Sequence, residues 1–327
     1  MKTRWVIAAT VAIVAVGCGH GSGDDEATPA TATTVTVQQP ATSAAAPSTT
    51  VGAVGGASEV RAVGDHGEID VRFTSRDTIL AGTLFVPGAG GAHPAVVWVH
   101  ASGEHERLRY GPVVDAFVMS GIGFFTYDKR GVGESGGTCC PADAEDAGIA
   151  EFGEQADDAL AALEAVRARS EVDPVHVGYL GVSQAGWIVP VAATQSPHVA
   201  FAVLVSGATV TTGEEQLYSQ LTGDTDLSGD TDRAELSRRL AEHGPSGFDP
   251  KRYLTAMTIP GLWLFGSVDG SIPTTESEAV LDTLKSEGHD FSYVEFAGAG
   301  HGLLDVNPPP PPEVVPTIVH WVSEHVN

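Results

Sequence analysis

Short, wholly apolar runs separated by stretches of helical period constrain this chain more than any other feature. Residues 95–100 (AVVWVH) form one such run, and 122–127, 175–182, 199–205 and 261–265 form others. A strand with one wet face alternates apolar and polar residues. A continuous apolar run reads instead as a strand buried on both faces, the situation inside a parallel sheet covered by helices. The intervening segments supply those helices: 112–120, 152–169 with Ala156, Ala159, Leu160, Leu163 and Val166 at helical spacing, 184–194, 274–286 and 313–325. Residues 291–296 add a last strand. Such alternation predicts an α/β fold, a mostly parallel sheet with helices on both faces. Ahead of it, 68–75 and 78–86 read as a hairpin that turns at Arg76 and Asp77.

One stretch breaks the rhythm. Residues 208–258 are rich in acids, with no clear strand and a weak helical period over 232–242. A compact domain seldom keeps so long an unstructured connection, so a small inserted cap is expected, above the carboxyl ends of the strands where open sheets bind ligands.

The N-terminus is a targeting segment in composition. Lys2 and Arg4 precede an apolar stretch from Trp5 to Val16, too short to span a bilayer, and Ala15-Val16-Gly17-Cys18 follows. This order resembles a bacterial lipoprotein signal, with Ala15 where Leu is usual and Cys18 as the lipidated residue. Residues 1–18 are read as the signal and 19–58, an Ala/Thr/Ser/Pro-rich segment, as a disordered tether. The folded domain is expected over 59–327, held outside the cytoplasm by a lipid anchor, or secreted if Cys18 is not lipidated. Of the other cysteines, Cys139 and Cys140 are adjacent. They can form a vicinal disulfide or remain thiols, and no zinc-ligand spacing is present.

Charge narrows the partners. Lys+Arg 17 against Asp+Glu 42 gives a formal net charge of -25, which repels nucleic acid and anionic headgroups. The acids are dispersed, as on a solubilising surface.

Chemistry concentrates in four places. In Gly181-Val182-Ser183-Gln184-Ala185 a strand runs into a tight turn with Ser183 at its apex, and a helix follows. A serine hydroxyl becomes a nucleophile when a base takes its proton. His301 is placed for that task, in the glycine-rich loop Ala297-Gly298-Ala299-Gly300-His301-Gly302 after the last strand. His289 precedes a strand, and His320 and His325 lie on the final helix, so they fit less well. Asp269 ends Leu264-Phe265-Gly266-Ser267-Val268-Asp269, past the penultimate strand, and is read as the acid that orients the imidazole, with Glu276 as fallback. The oxyanion of a tetrahedral intermediate needs backbone donors, expected from the N–H groups of Gln184 and Ser102, with Ala101 second to Ser102.

These segments resemble the α/β-hydrolase superfamily. The elbow looks like G-x-S-x-G with Ala185 in the last place, and the chain order Ser183, Asp269, His301 is the family's order. His100-Ala101-Ser102-Gly103 is similar to its H-G-S-G turn. Asp128-Lys129-Arg130-Gly131-Val132-Gly133-Glu134-Ser135 looks like its D-x-R-G-x-G-x-S wall segment, which is not catalytic. The set is similar to the serine-aminopeptidase or acyl-peptidase-like branch and its bacterial esterase relatives. The resemblance implies a serine hydrolase that cleaves an ester through an acyl-enzyme, acting on a small-molecule ester or a short peptide. It implies no metal and no organic cofactor. A peptidase, amidase or thioesterase on the same triad is the alternative, an acyltransferase would carry the same triad, and an inactive binding lipoprotein is the rival of another class.

Overall fold

The computed structural model describes residues 60–88, 90–140, 144–305 and 309–326. Cys18, the signal segment and the tether lie outside the described residues. The described chain forms a nine-stranded sheet of order β1-β2-β3-β5-β4-β6-β7-β8-β9. Strands β1 (Arg61–Val63), β2 (His66–Ser75) and β3 (Thr78–Pro87) run antiparallel at one edge. The hairpin turns where expected, with Ser75 opposite Thr78 and Arg76 at φ 53°. β3 also pairs antiparallel with β5 (Gly123–Tyr127), and the remaining pairings, among β5, β4 (His93–Val99), β6 (Val172–Val182), β7 (Ala202–Val205), β8 (Gly261–Gly266) and β9 (Phe291–Phe296), are parallel.

The continuous apolar runs are explained by two cores, one on each face. Along β4, Ala95, Val97 and Val99 enter one core together with residues of α2 (Ala144–Arg167), α3 (Ala185–Gln195) and α7 (Thr274–Ser286). Val96 and Trp98 enter the other, against α1 (Pro112–Met119) and α8 (Val314–His325). Successive side chains of a strand point to opposite faces, so a strand between two helical layers must be apolar at every position.

Two sequence expectations need correction. Helix α2 begins at Ala144, about two turns before the expected start at 152. The segment 208–258 is more helical than its period indicated: it carries α4 (Thr212–Thr222), α5 (Arg233–His243) and α6 (Lys251–Ala256). The cause for α4 is local capping. Thr211 accepts the N–H of Glu214 while the Glu214 carboxylate receives the backbone N–H of Thr211, a reciprocal capping box, and Gly223 closes the helix at φ 69°. Tyr218, Leu227 and Leu240 give the segment a small apolar cluster of its own. Cys139 and Cys140 are joined by a disulfide in the loop that follows β5.

Candidate active site

Strand β6 ends at Val182, and Ser183 stands between it and α3 with φ 54°. A left-handed conformation at a residue with a side chain costs on the order of 1–3 kcal/mol and persists only where its surroundings enforce it. Here the Ser183 N–H donates to Val205 at 2.9 Å and the Ser183 carbonyl accepts from Gly186 at 2.8 Å. The bend is also sterically tight. A Cβ on Gly181 would lie 2.6 Å from that of Ala185, so the elbow admits Ala185 because position 181 has no side chain.

His301 and Asp269 converge on this serine. Ser183 Oγ lies 3.0 Å from His301 Nε2, and His301 Nδ1 lies 2.9 Å from Asp269 Oδ2. A carboxylate only accepts, so Nδ1 carries the ring proton and Nε2 is left to accept the hydroxyl proton of Ser183. Asp269 is 1% exposed, and its Oδ1 accepts the N–H groups of Ser271 and Ile272, each at 2.8 Å. One oxygen is thereby held by its own loop and the other aimed at the imidazole. Glu276 does not join them; it lies on α7 and accepts from Ser237 Oγ.

Electrostatics make the imidazole a stronger base. Burial alone lowers the pKa of His301, but the hydrogen bond and charge of Asp269, with Asp224 and Asp305 nearby, outweigh it and raise the value above 6.5. Glu215, in the first turn of α4, is pushed up to about 7 by burial and by the charges of Asp224 and Asp269, against the opposing pull of His301.

Several residues that hold this arrangement carry no motif. Ser206 Oγ donates to the His301 carbonyl at 2.7 Å, tying the histidine loop to the end of β7. Tyr218 Oη donates to the Asp269 carbonyl at 2.9 Å, tying α4 to the acid loop. Tyr218 is raised to about 12 by burial and by neighbouring carboxylates, so it stays a donor at neutral pH. Each lies far in sequence from its partner, and the signal that could have marked Ser206 is only its place at a strand end.

The expected oxyanion donors sit on two segments beside Ser183. Gln184 is the N-cap of α3, and Ser102 lies in the loop after β4. The start of that loop is held by His100, which is buried: Nε2–H donates to the Tyr127 carbonyl and Nδ1 accepts from Trp98 Nε1 at 3.2 Å. Burial, reinforced by the neighbouring His105 and Lys129, lowers its pKa to about 3, so it is neutral and holds the loop. In the wall segment the Asp128 carboxylate accepts the N–H groups of Arg107 and Glu134, at 2.8 and 2.9 Å. A Cβ on Gly133 would fall 2.6 Å from that carboxylate, which accounts for the glycine.

Two cavities meet at Glu106, Leu108 and Arg109. One of about 330 Å³ is bounded by the oxyanion loop (His100, Ala101), by Val182 next to Ser183, by Leu304 beyond His301, and by the apolar Trp98 and Val113. A larger one, about 640 Å³, is lined mostly by charged side chains, and neither cavity is lined by Ser183, His301 or Asp269. Two of the larger cavity's cations are engaged, Arg61 with Glu68 and Arg107 with Asp128 and Glu134. The smaller cavity reaches Val182, the residue before Ser183.

Comparison with known proteins decides the family. Residues 161–326, half of the chain, match the model described as BAAT / Acyl-CoA thioester hydrolase C terminal, and residues 90–224 match that of serine aminopeptidase S33. The chain is an α/β-hydrolase. It belongs to the family that the model over 161–326 describes, and it is a hydrolytic enzyme. Solved structures agree in fold. Acetyl xylan esterase 1 from Thermoanaerobacterium sp. matches with TM-score 0.57 at 17% identity, over 83% of this chain and 87% of that one. An esterase from Pyrococcus furiosus matches with TM-score 0.59 at 16% identity, over 82% and 97%. The acylaminoacyl peptidase of Pyrococcus horikoshii matches with TM-score 0.60 at 19% identity, over 80% of this chain but 42% of its own.

Proposed function

We propose that this α/β-hydrolase is an extracytoplasmic, lipid-anchored serine esterase with Ser183, His301 and Asp269 as its triad. The observation that carries the reading is the hydrogen-bonded line from Ser183 Oγ through His301 to buried Asp269. In the first step His301 Nε2 takes the hydroxyl proton as Ser183 Oγ attacks the ester carbonyl. The N–H groups of Gln184 and Ser102 stabilise the oxyanion. Collapse breaks the bond to the leaving alcohol, which receives the proton from His301 and leaves the acyl group on Ser183. Water, deprotonated by His301, then attacks the acyl-enzyme, and carboxylic acid departs as Ser183 recovers its proton.

The 330 Å³ cavity supports an ester with an apolar part. Its size is at the small end of ligand pockets, roughly 300–1,000 Å³, which suits a short to medium chain. The helices of 208–258 form the cap in this reading, with α4 resting on the acid loop through Tyr218. The targeting segment and Cys18 support the location and the anchor.

A thioester is the second reading, favoured by the thioester hydrolase model over 161–326. Ser183 attacks either carbonyl in the same way, and only the leaving group differs.

The test is labelling of the mature protein with a fluorophosphonate, beside Ser183→Ala, followed by matched p-nitrophenyl esters, short acyl thioesters and aminoacyl anilides. Ser183-dependent labelling with ester turnover above the other two is expected. Folded protein that does not label, or that labels equally without Ser183, sinks the reading.

A further inference from the structure

We infer that Lys129 is a positioning residue for the oxyanion hole, one that sets the direction of the peptide unit joining Ala101 to Ser102. The inference rests on the serine esterase reading above. Lys129 follows β5 in the wall segment and is 5% exposed. Its Nζ donates to the Ala101 carbonyl at 2.9 Å, to the Gly103 carbonyl at 3.0 Å and to Gln184 Oε1 at 3.3 Å.

The geometry of a trans peptide gives these bonds a consequence. Within one peptide unit the C=O and the following N–H point in opposite directions. The Ala101 carbonyl is turned toward the ammonium, so the N–H of Ser102 is turned away from it. The next unit is held too, because His105 Nε2 bonds to the Ser102 carbonyl at 2.7 Å. Each of three successive carbonyls of the loop thus has a side-chain donor, and the loop has little freedom to flip a peptide. The third bond of Lys129 reaches Gln184, whose own N–H is the other proposed donor. A single ammonium therefore bridges the two segments, 28 and 55 residues away in sequence, that supply the hole.

Lysine suits the task chemically. Three N–H donors on one tetrahedral nitrogen can meet three converging acceptors, which a planar guanidinium cannot do from one point. Its positive charge also lies behind the carbonyl end of the Ala101–Ser102 dipole. That orientation keeps the N–H end facing the place where negative charge develops.

A positioning role and a merely structural one differ in what they move. Lys129→Met removes the donors and keeps most of the apolar stem, and Lys129→Gln keeps an N–H donor on a shorter arm. With a p-nitrophenyl ester, Lys129→Met is expected to lower kcat about a hundredfold, the low end of the loss for removing one oxyanion donor, with KM within about threefold. Affinity for a trifluoromethyl ketone, whose hemiketal oxyanion occupies the hole, should fall by the same factor as kcat. Lys129→Gln should recover part of both, and the midpoint of the acid limb in kcat/KM should stay where it is in the parent. A folded Lys129→Met protein with kcat within threefold of the parent overturns the inference. So does a loss of kcat with no matching loss of ketone affinity, or failure of both variants to fold, which would make Lys129 a part of the frame. In the first of these cases Ser183-dependent turnover persists, so the inference fails without touching the esterase reading. That reading fails only if the parent's turnover does not depend on Ser183.

Discussion

Ser206 Oγ donates to the carbonyl of His301 at 2.7 Å, and Ser206 is completely buried at the end of β7. The histidine loop is thereby fixed to the strand beside the one that delivers Ser183. The carbonyl has a second donor, Leu303 N–H at 2.9 Å, so losing the hydroxyl does not orphan it. Ser206→Ala is accordingly expected to cost about 0.5–1.5 kcal/mol of stability, the net value of one hydrogen bond. Because the tie positions the base and touches no substrate, kcat should fall up to about tenfold with KM unchanged. Urea denaturation and steady-state kinetics on one preparation check both, and a change confined to KM would contradict this role.

The pH profile follows from the raised pKa of His301. The base must be neutral to accept the serine proton, so kcat/KM should climb through an acid limb centred above 6.5. Folding stability has the opposite sign. The protonated imidazole gains from Asp269, a contribution fully present below the unfolded value and lost as pH rises through the folded one. Asp269→Asn removes the charge that raises the pKa and frees the ring to take the wrong tautomer. It should move the limb downward and lower kcat on the order of 10⁴-fold. A pH-rate profile of both proteins is the measurement; an unmoved limb would show that Asp269 does not act on His301.

Arg130 and Asp158 form a buried pair between the wall segment and α2. Arg130 Nε donates to Asp158 Oδ2 at 3.0 Å, a second guanidinium nitrogen meets Oδ1, and both residues are nearly inaccessible. Removing one partner leaves the other charged and unpaired, so Arg130→Ala should destabilise by about 3–5 kcal/mol. Replacing both with apolar residues of similar volume should restore most of that loss. Denaturant unfolding of the single and double variants tests this, and a single variant as stable as the parent would refute it.

Cys18 bears on location. If it is lipidated, Cys18→Ala should release esterase activity from the membrane fraction into the soluble fraction, and labelled palmitate should enter the parent alone. Activity that stays with membranes in the variant would remove Cys18 as the anchor.

Much of the fold was legible because two-sided burial leaves a one-dimensional trace: β8, residues 95–99 of β4 and residues 177–181 of β6 had to be apolar, whatever packed on them. The proposed triad was legible for a related reason. Ser183 sits in a bend that demands small neighbours, and His301 and Asp269 each follow a strand that could be read by itself. What the sequence hid depends on encounters between distant residues. Helix α4 has little apolar period and is secured by a reciprocal cap and by Tyr218 resting on the Asp269 loop. Glu276 passed as an acid near the right strand until packing gave its carboxylate to Ser237.

The sequence by itself determined the parallel sheet between helical layers and the family, and it singled out the serine, histidine and aspartate proposed to react. Tertiary structure alone decided how those groups are held. Lys129 engages Ala101 across 28 residues and Ser206 engages His301 across 95, and neither bond leaves a period or a motif. A hydrogen bond between segments depends on where two backbones arrive in space, and that is set by the packing of the whole sheet.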